Sequence, residues 1–217
     1  MHLITHPAET RSRFRIGGLG LAVALIALVL VPAASQAACG NPIQCENQLP
    51  GTPEYVWEVD GSGDSTIQGF ATSMSVNKGD PVSFKIKSAT SNYKIDILRL
   101  GYYGGDGARM IQSNLTPTNT TAQPACPTSA ATGMTDCGNW SVSRTWTVPS
   151  TAVSGVYIAL LTRNDTGGQS QIPFVVRDDS SHSAMVVQTS DETWQAYNTF
   201  GGNSLYTCTT VCPPGNP

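Results

Sequence analysis

Two patterns of apolar spacing run along this 217-residue chain. Between Tyr55 and Arg177 the rule is alternation. In Tyr55-Val56-Trp57-Glu58-Val59-Asp60 the odd positions are apolar. Val82, Phe84 and Ile86 alternate with Ser83, Lys85 and Lys87. Trp140, Val142, Trp146 and Val148 share one parity with Arg144, and Ser or Thr fills the other. Residues two apart on a strand share a face, so each run predicts a strand with a core side and a polar side. Further strands are expected at Gln68–Val76, Tyr93–Leu100, Arg109–Asn114, Gly155–Arg163 and Gln171–Arg177. Turn-forming clusters separate them: Asn77-Lys78-Gly79-Asp80, Gly104-Gly105-Asp106-Gly107 and Asp165-Thr166-Gly167-Gly168. About seven or eight short strands between turn signals, without a convincing amphipathic helix, predict an antiparallel β-sandwich of immunoglobulin-like or fibronectin-like topology. A jelly roll is the main alternative.

The second pattern is continuous hydrophobicity, and it occurs at both ends. Arg11, Arg13 and Arg15 precede an unbroken Gly and aliphatic run, Ile16–Val31, which Pro32 ends before Ser35-Gln36-Ala37. The run is short for a membrane span and suits a signal-peptide core, so residues 1–37 are expected to be a signal peptide cleaved after Ala37. An uncleaved N-terminal anchor is the alternative. Near the other end, Ala184-Met185-Val186-Val187-Gln188 follows the polar hinge Arg177–Ser183. A short continuous apolar run is expected of a strand buried on both faces. Thr189-Ser190-Asp191 can cap a helical turn starting near Glu192. Strand, polar turn and helix start open an α/β unit, but too little sequence follows to complete a parallel sheet. The expected organisation is therefore 1–37 signal peptide, 38–53 Cys-containing leader, 54–178 β-sandwich, and 179–217 hinge and truncated start of an α/β domain.

Composition narrows the setting. A formal charge of −3 from 12 basic and 15 acidic residues gives no basic stripe, and nucleic acid is not an expected partner. Six cysteines all follow the signal segment. An even count in an exported chain favours disulfides, and proximity suggests Cys39–Cys45, Cys126–Cys137 and Cys208–Cys212. Zinc is the weaker reading, since no Cys-x-x-Cys occurs. The expected location is secreted, periplasmic or cell envelope, with no membrane association after cleavage.

Candidate chemistry is sparse. Once the signal segment is removed His182 is the single histidine, it lies in the hinge, and it reads as a solvated linker residue. A hydrolytic triad lacks its base. No catalytic residue and no cofactor are assigned to this chain. Gly101-Tyr102-Tyr103-Gly104-Gly105-Asp106-Gly107 is the most distinctive loop. It reads first as a hairpin with glycines at positive φ and tyrosines over the strand ends. Tyr102, Tyr103 and Asp106 are alternatively a ligand or domain contact, with extracellular glycan as one possible partner. Asp106 as a calcium ligand is weaker. Trp140 and Trp146 read as core. Asn114, Asn119, Asn139 and Asn164 begin Asn-x-Ser/Thr triplets, which matter only if the host glycosylates. Trp194, Gln195, Tyr197 and Asn198 follow the expected buried strand, where α/β sheets place their sites, and supply stacking and hydrogen bonding.

Several strings taken together carry a resemblance. They are Gln68-Gly69-Phe70-Ala71-Thr72 through Ser75-Val76-Asn77-Lys78-Gly79, Ile95-Asp96-Ile97-Leu98-Arg99-Leu100-Gly101-Tyr102-Tyr103-Gly104-Gly105-Asp106-Gly107-Ala108-Arg109, Asp136-Cys137-Gly138-Asn139-Trp140, Gln188-Thr189-Ser190-Asp191, and Thr193-Trp194-Gln195-Ala196-Tyr197-Asn198. They resemble bacterial secreted proteins related to the large (β) subunit of N,N-dimethylformamidase. The resemblance implies a β-sandwich region followed by a glutamine amidotransferase-like α/β domain. It also implies amide hydrolysis at a ferric site held by two tyrosines and a glutamate, with Tyr197 matching the first tyrosine. It places the other ligands further along the α/β domain. The expected function is thus an exported accessory sandwich module without catalysis of its own, partnered by the missing α/β domain or a second chain. The alternatives are part of an iron-dependent amidohydrolase once completed, and a cell-wall or polysaccharide-binding module.

Overall fold

The computed structural model describes residues 39–209 and Cys212; the expected signal peptide at 1–37 lies outside these. The chain is mainly β. Its elements are α1 Pro42–Asn47, α2 Glu54–Trp57, β1 Ile67–Ala71, β2 Ser75–Asn77, β3 Pro81–Ser88, β4 Tyr93–Leu100, a 3-10 turn Tyr103–Gly105, β5 Ala108–Leu115, β6 Arg144–Thr147, β7 Gly155–Arg163, β8 Gln169–Arg177 and α3 Asp191–Tyr197. They form a three-stranded sheet, β1-β3-β6, and a five-stranded sheet, β2-β8-β7-β4-β5. All pairings are antiparallel except β2 with β8.

Alternation places the core between the sheets. Val82, Phe84 and Ile86 of β3 and Trp146 of β6 share one buried cluster with Ile95 and Ile97 of β4, Tyr157, Ala159 and Leu161 of β7, and Ile172, Phe174 and Val176 of β8. Phe174 is its centre. Its ring lies 5.6 Å from Phe84, 6.2 Å from Trp146 and 5.7 Å from Tyr157, two of these from the opposite sheet. Edge and tilted contacts at such spacings suit the aromatic quadrupole and add to area burial.

β7 is buried from Tyr157 through Leu161, without the polar face an antiparallel strand usually shows water. The cover is the segment read above as the strand Tyr55–Asp60. It is no strand: after Pro53 it makes the single helical turn α2, closed by Glu58 N–H donating to Glu54 O at 2.8 Å. Trp57 and Val59 then pack on Leu98, Ala108, Ile158 and Leu160, the outward face of the five-stranded sheet. Trp57 Nε1 donates to Thr52 O (3.1 Å) and Asp106 O (3.2 Å). Of the alternating apolar positions Trp57 and Val59 pack, on a sheet face rather than at a strand edge, whereas Tyr55 is 85% exposed and the off-phase Val56 is half-buried.

The other strands fall within a few residues of expectation, with two differences. Gln68–Val76 divides into β1 and β2, which belong to different sheets. The Trp140–Val148 run is strand only at Arg144–Thr147, and Val142 is exposed. Trp140 is buried outside the main core, its ring 5.7 Å from Phe70 and 6.3 Å from Phe200 of the tail. Between β4 and β5 the register shifts, and buried Asp96 sits at the shift. Its carboxylate accepts from Asn114 N–H and from Lys94 Nζ, both at 2.6 Å. Asn114 takes a positive φ of 56°, which Asn tolerates better than most residues.

Beyond β8 the strand expected at Ala184–Gln188 is not formed. Met185, Val186 and Val187 are 83%, 92% and 86% exposed. The segment pairs with no edge of either sheet. The helix expected near Glu192 is present as α3, and His182 is exposed.

Replacing Phe174 by Ala removes the ring both sheets share. A loss of about 3–5 kcal/mol in unfolding free energy is expected, read as a lowered urea midpoint with an unchanged slope.

Candidate functional site

The distinctive glycine–tyrosine loop and the leader form one structure. Asn41 caps α1 by accepting from Gln44 N–H (3.0 Å), and Pro42 opens it. Cys39–Cys45 ties the helix to the residues before it. The next two residues reach the loop. Asn47 Oδ1 accepts from Tyr102 N–H at 3.0 Å. Glu46, buried, accepts from Tyr103 Oη at 2.9 Å and from Arg109 Nε at 2.7 Å, and Arg109 Nη2 lies 2.6 Å from the same oxygen.

Tyr103 Oη also accepts from Arg99 Nη1 at 2.9 Å. Arg99 is 4% exposed and donates as well to Val153 O, Leu100 O and Ser154 O. The result is a buried chain from Arg99 through Tyr103 to Glu46, with Arg109 on its far side. Every carboxylate and guanidinium in it is hydrogen-bonded, as a charge out of water requires. Burial pushes the Tyr103 phenol above its ordinary value; Arg99 opposes the rise and Glu46 adds to it.

The loop backbone is bent to make this contact. Tyr103 itself sits at φ 42°, a conformation that costs a non-glycine residue roughly 1–3 kcal/mol and persists because the surrounding bonds offset it. Gly104, Gly105 and Gly107 follow at φ 71°, 109° and 76°, where side chains are rarely tolerated. Gly101 admits no side chain, because a Cβ there would lie 2.8 Å from Arg99 Nη1 and against Asn47.

The two tyrosines read together from the sequence thus part company. Tyr103 is 2% exposed and structural, while Tyr102 is 70% exposed. Tyr102, Asp106, Gln44, Asn47 and Gln48 line an open depression of about 950 Å³ between α1 and the loop. Sequence reasoning missed the partners Glu46, Arg99 and Arg109. One signal was available: Arg99 holds the inward, odd-numbered parity of β4, where an arginine needs a buried partner.

The second candidate cluster lies elsewhere. Trp194, Gln195, Tyr197 and Asn198 are exposed on and just after α3. The Tyr197 ring stacks at 4.7 Å on Tyr206, and Asn198 Oδ1 accepts from Phe200 N–H. The tail packs on the excursion closed by Cys126–Cys137, through Phe200 on Trp140 and Asn203 Nδ2 donating to Gly133 O at 3.0 Å. Cys208 pairs with Cys212, so all three expected disulfides are present. Among the described residues no group of three or more His, Cys, Asp and Glu could hold a metal ion. No described helix is long and apolar enough to cross a membrane.

The fold and site define a disulfide-bonded, mainly β protein whose stapled leader is latched to one end of a two-sheet body. The family model for the C-terminal part of N,N-dimethylformamidase beta subunit-like proteins matches residues 94–215, from β4 through the latch loop and α3. The match spans more than half of the chain, which belongs to this family. No curated protein matches. Among solved structures, the Pseudomonas fluorescens alkylpurine DNA glycosylase AlkC bound to abasic-site DNA is 13% identical. That alignment covers 52% of this chain and 31% of the glycosylase at a TM-score of 0.27. An AA10 lytic polysaccharide monooxygenase from Streptomyces lividans is 18% identical over 54% of this chain and 88% of that one, at 0.26. Neither likeness assigns a fold or an activity.

Glu46→Ala leaves Tyr103 and Arg109 without their acceptor, and a loss of about 2–3 kcal/mol is expected in denaturant unfolding. Alkali gives a second readout. Tyr93, Tyr103 and Tyr157 all have phenols raised chiefly by burial. The folded state keeps these protons after the unfolded chain has lost them, so stability is full below about pH 10 and falls as pH rises further. Tyr157→Phe is expected to flatten that fall; an unchanged alkaline slope would show that the buried phenols do not set it.

Proposed function

We propose that this chain is an exported accessory module of a dimethylformamidase beta subunit-like protein, serving an α/β part or partner chain rather than carrying catalysis of its own. The observation that carries this is the apolar run after β8. Three successive side chains, Met185, Val186 and Val187, stand almost fully in water although the two-sheet core is closed without them. Such a run is a docking element in search of a strand or groove. The family's description as a beta subunit supports a partner chain, and three disulfides support export into an oxidising compartment.

The body itself is best read as an immunoglobulin-like sandwich. Taking β1, β3 and β6 as strands A, B and E, and β5, β4, β7 and β8 as C′, C, F and G, both sheet orders agree with that topology. Tyr157, near the start of β7, donates its hydroxyl to Val153 O at 2.7 Å, the corner contact expected at the start of strand F.

Family membership also favours a second reading, in which the completed assembly hydrolyses small amides and Tyr197 contributes one ligand to a ferric ion. The two readings separate in one assay. The purified chain, incubated with N,N-dimethylformamide and ferric ion, is expected to release no dimethylamine above buffer, and clear turnover would overturn the accessory reading. Intact mass of the exported product should begin at Ala38; retention of the first 37 residues would contradict export with cleavage.

A further inference from the structure

We propose that the depression between α1 and the Tyr102 loop is a carbohydrate-binding groove that takes a segment of an uncharged polysaccharide. Its lining supplies the two things a sugar ring needs. The first is an aromatic face for the apolar C–H side of a pyranose. Tyr102 is 70% exposed, and its ring has no aromatic or cationic partner among the described residues. The second is a set of planar polar groups for the hydroxyls. Gln44 and Asn47 each use their amide oxygen internally, on Gly40 N–H (2.8 Å) and Tyr102 N–H (3.0 Å), which leaves both NH₂ groups to donate outward. The Gln48 side chain and the Asp106 carboxylate make no hydrogen bond within the described chain, so the groove presents amide donors together with the acceptors Gln48 Oε1 and the Asp106 carboxylate.

Shape and charge narrow the ligand. The depression is broad and open, whereas sites for small molecules enclose most of the ligand's surface. An open trough with an aromatic side suits a chain that lies across it and continues on both sides. The lining contains one carboxylate and no lysine or arginine, so nothing in it neutralises a sulfated or uronic polymer.

The groove is also held in place before any ligand arrives. Its α1 wall is fixed by Cys39–Cys45 and by Glu46, its loop wall by Tyr103 and by the Asn47 bond to the Tyr102 backbone. Groups held by packing and disulfides lose little freedom on binding. This proposal is independent of the docking role given to residues 185–187.

The test is retention of the purified chain on insoluble cellulose, chitin and curdlan, with heparin–agarose as the anionic comparison. Binding to at least one of the first three is expected, and heparin should not compete. Tyr102→Ala should weaken retention about tenfold, as loss of one stacking face implies. Tyr102→Phe should keep it, Gln48→Ala should weaken it a few-fold, and Met185→Ser should leave it unchanged. Thermal melting of each variant checks the fold, since Tyr102 and Gln48 are exposed and outside the latch. No retention of the parent chain on any of the three, or equal retention by Tyr102→Ala, would overturn the proposal. Preferential binding to heparin would overturn it as well.

Discussion

Glu46 is the residue on which the arrangement of the functional end depends. A carboxylate on a six-residue helix is taken out of water and meets one phenol and one guanidinium, with a second guanidinium behind the phenol. Each group in the chain satisfies another, so none can leave singly without stranding a buried charge or dipole. The loop accepts a positive φ at Tyr103 because the hydroxyl is held at both ends. The leader, too short to fold alone, is held because its one buried side chain is the acceptor.

The disulfide beside Glu46 makes that contact economical in entropy. Cys45 precedes Glu46, and its bridge to Cys39 limits what the leader can do when unlatched. The same placement puts Gln44, Asn47 and Gln48 along one wall of the depression and Tyr102 on the other. Structural and ligand-facing roles therefore divide between adjacent residues: Glu46 faces in and Asn47 bridges, while Tyr103 is buried and Tyr102 is free. A chain built this way can display a polar, aromatic groove without asking the β body for any of its core residues.

The body and the tail contrast in how far their side chains are satisfied. In the body, both faces of the central strands are closed, one by the opposite sheet and the other by Trp57 and Val59. After Arg177 the burial stops and three aliphatic residues stand in water before the tail regains contact through Phe200 and Asn203. A segment rich in β-branched residues that pairs with no neighbouring strand stays irregular, since its ladder bonds require a partner.

The sequence by itself determined the strands that alternate, because a half-buried strand must repeat every two residues, and Val82-Phe84-Ile86 could satisfy no other period. Proximity along the chain suggested the disulfide pairs that the structure forms, and long strings of residues carry the family. Tertiary structure decided the rest. Tyr55–Asp60 has strand spacing but covers a sheet face, which no local pattern distinguishes from pairing at an edge. Gln68–Val76 reads as one strand and serves two sheets, because the choice of partner lies far along the chain. Tyr102 and Tyr103 are identical in sequence terms, and only the approach of Glu46 and Arg99 from distant segments buries one and frees the other. Long-range pairing of charges leaves only the inward parity of Arg99 as a trace and does not say which partner meets it, so the latch and the groove beside it became visible only once the chain was folded.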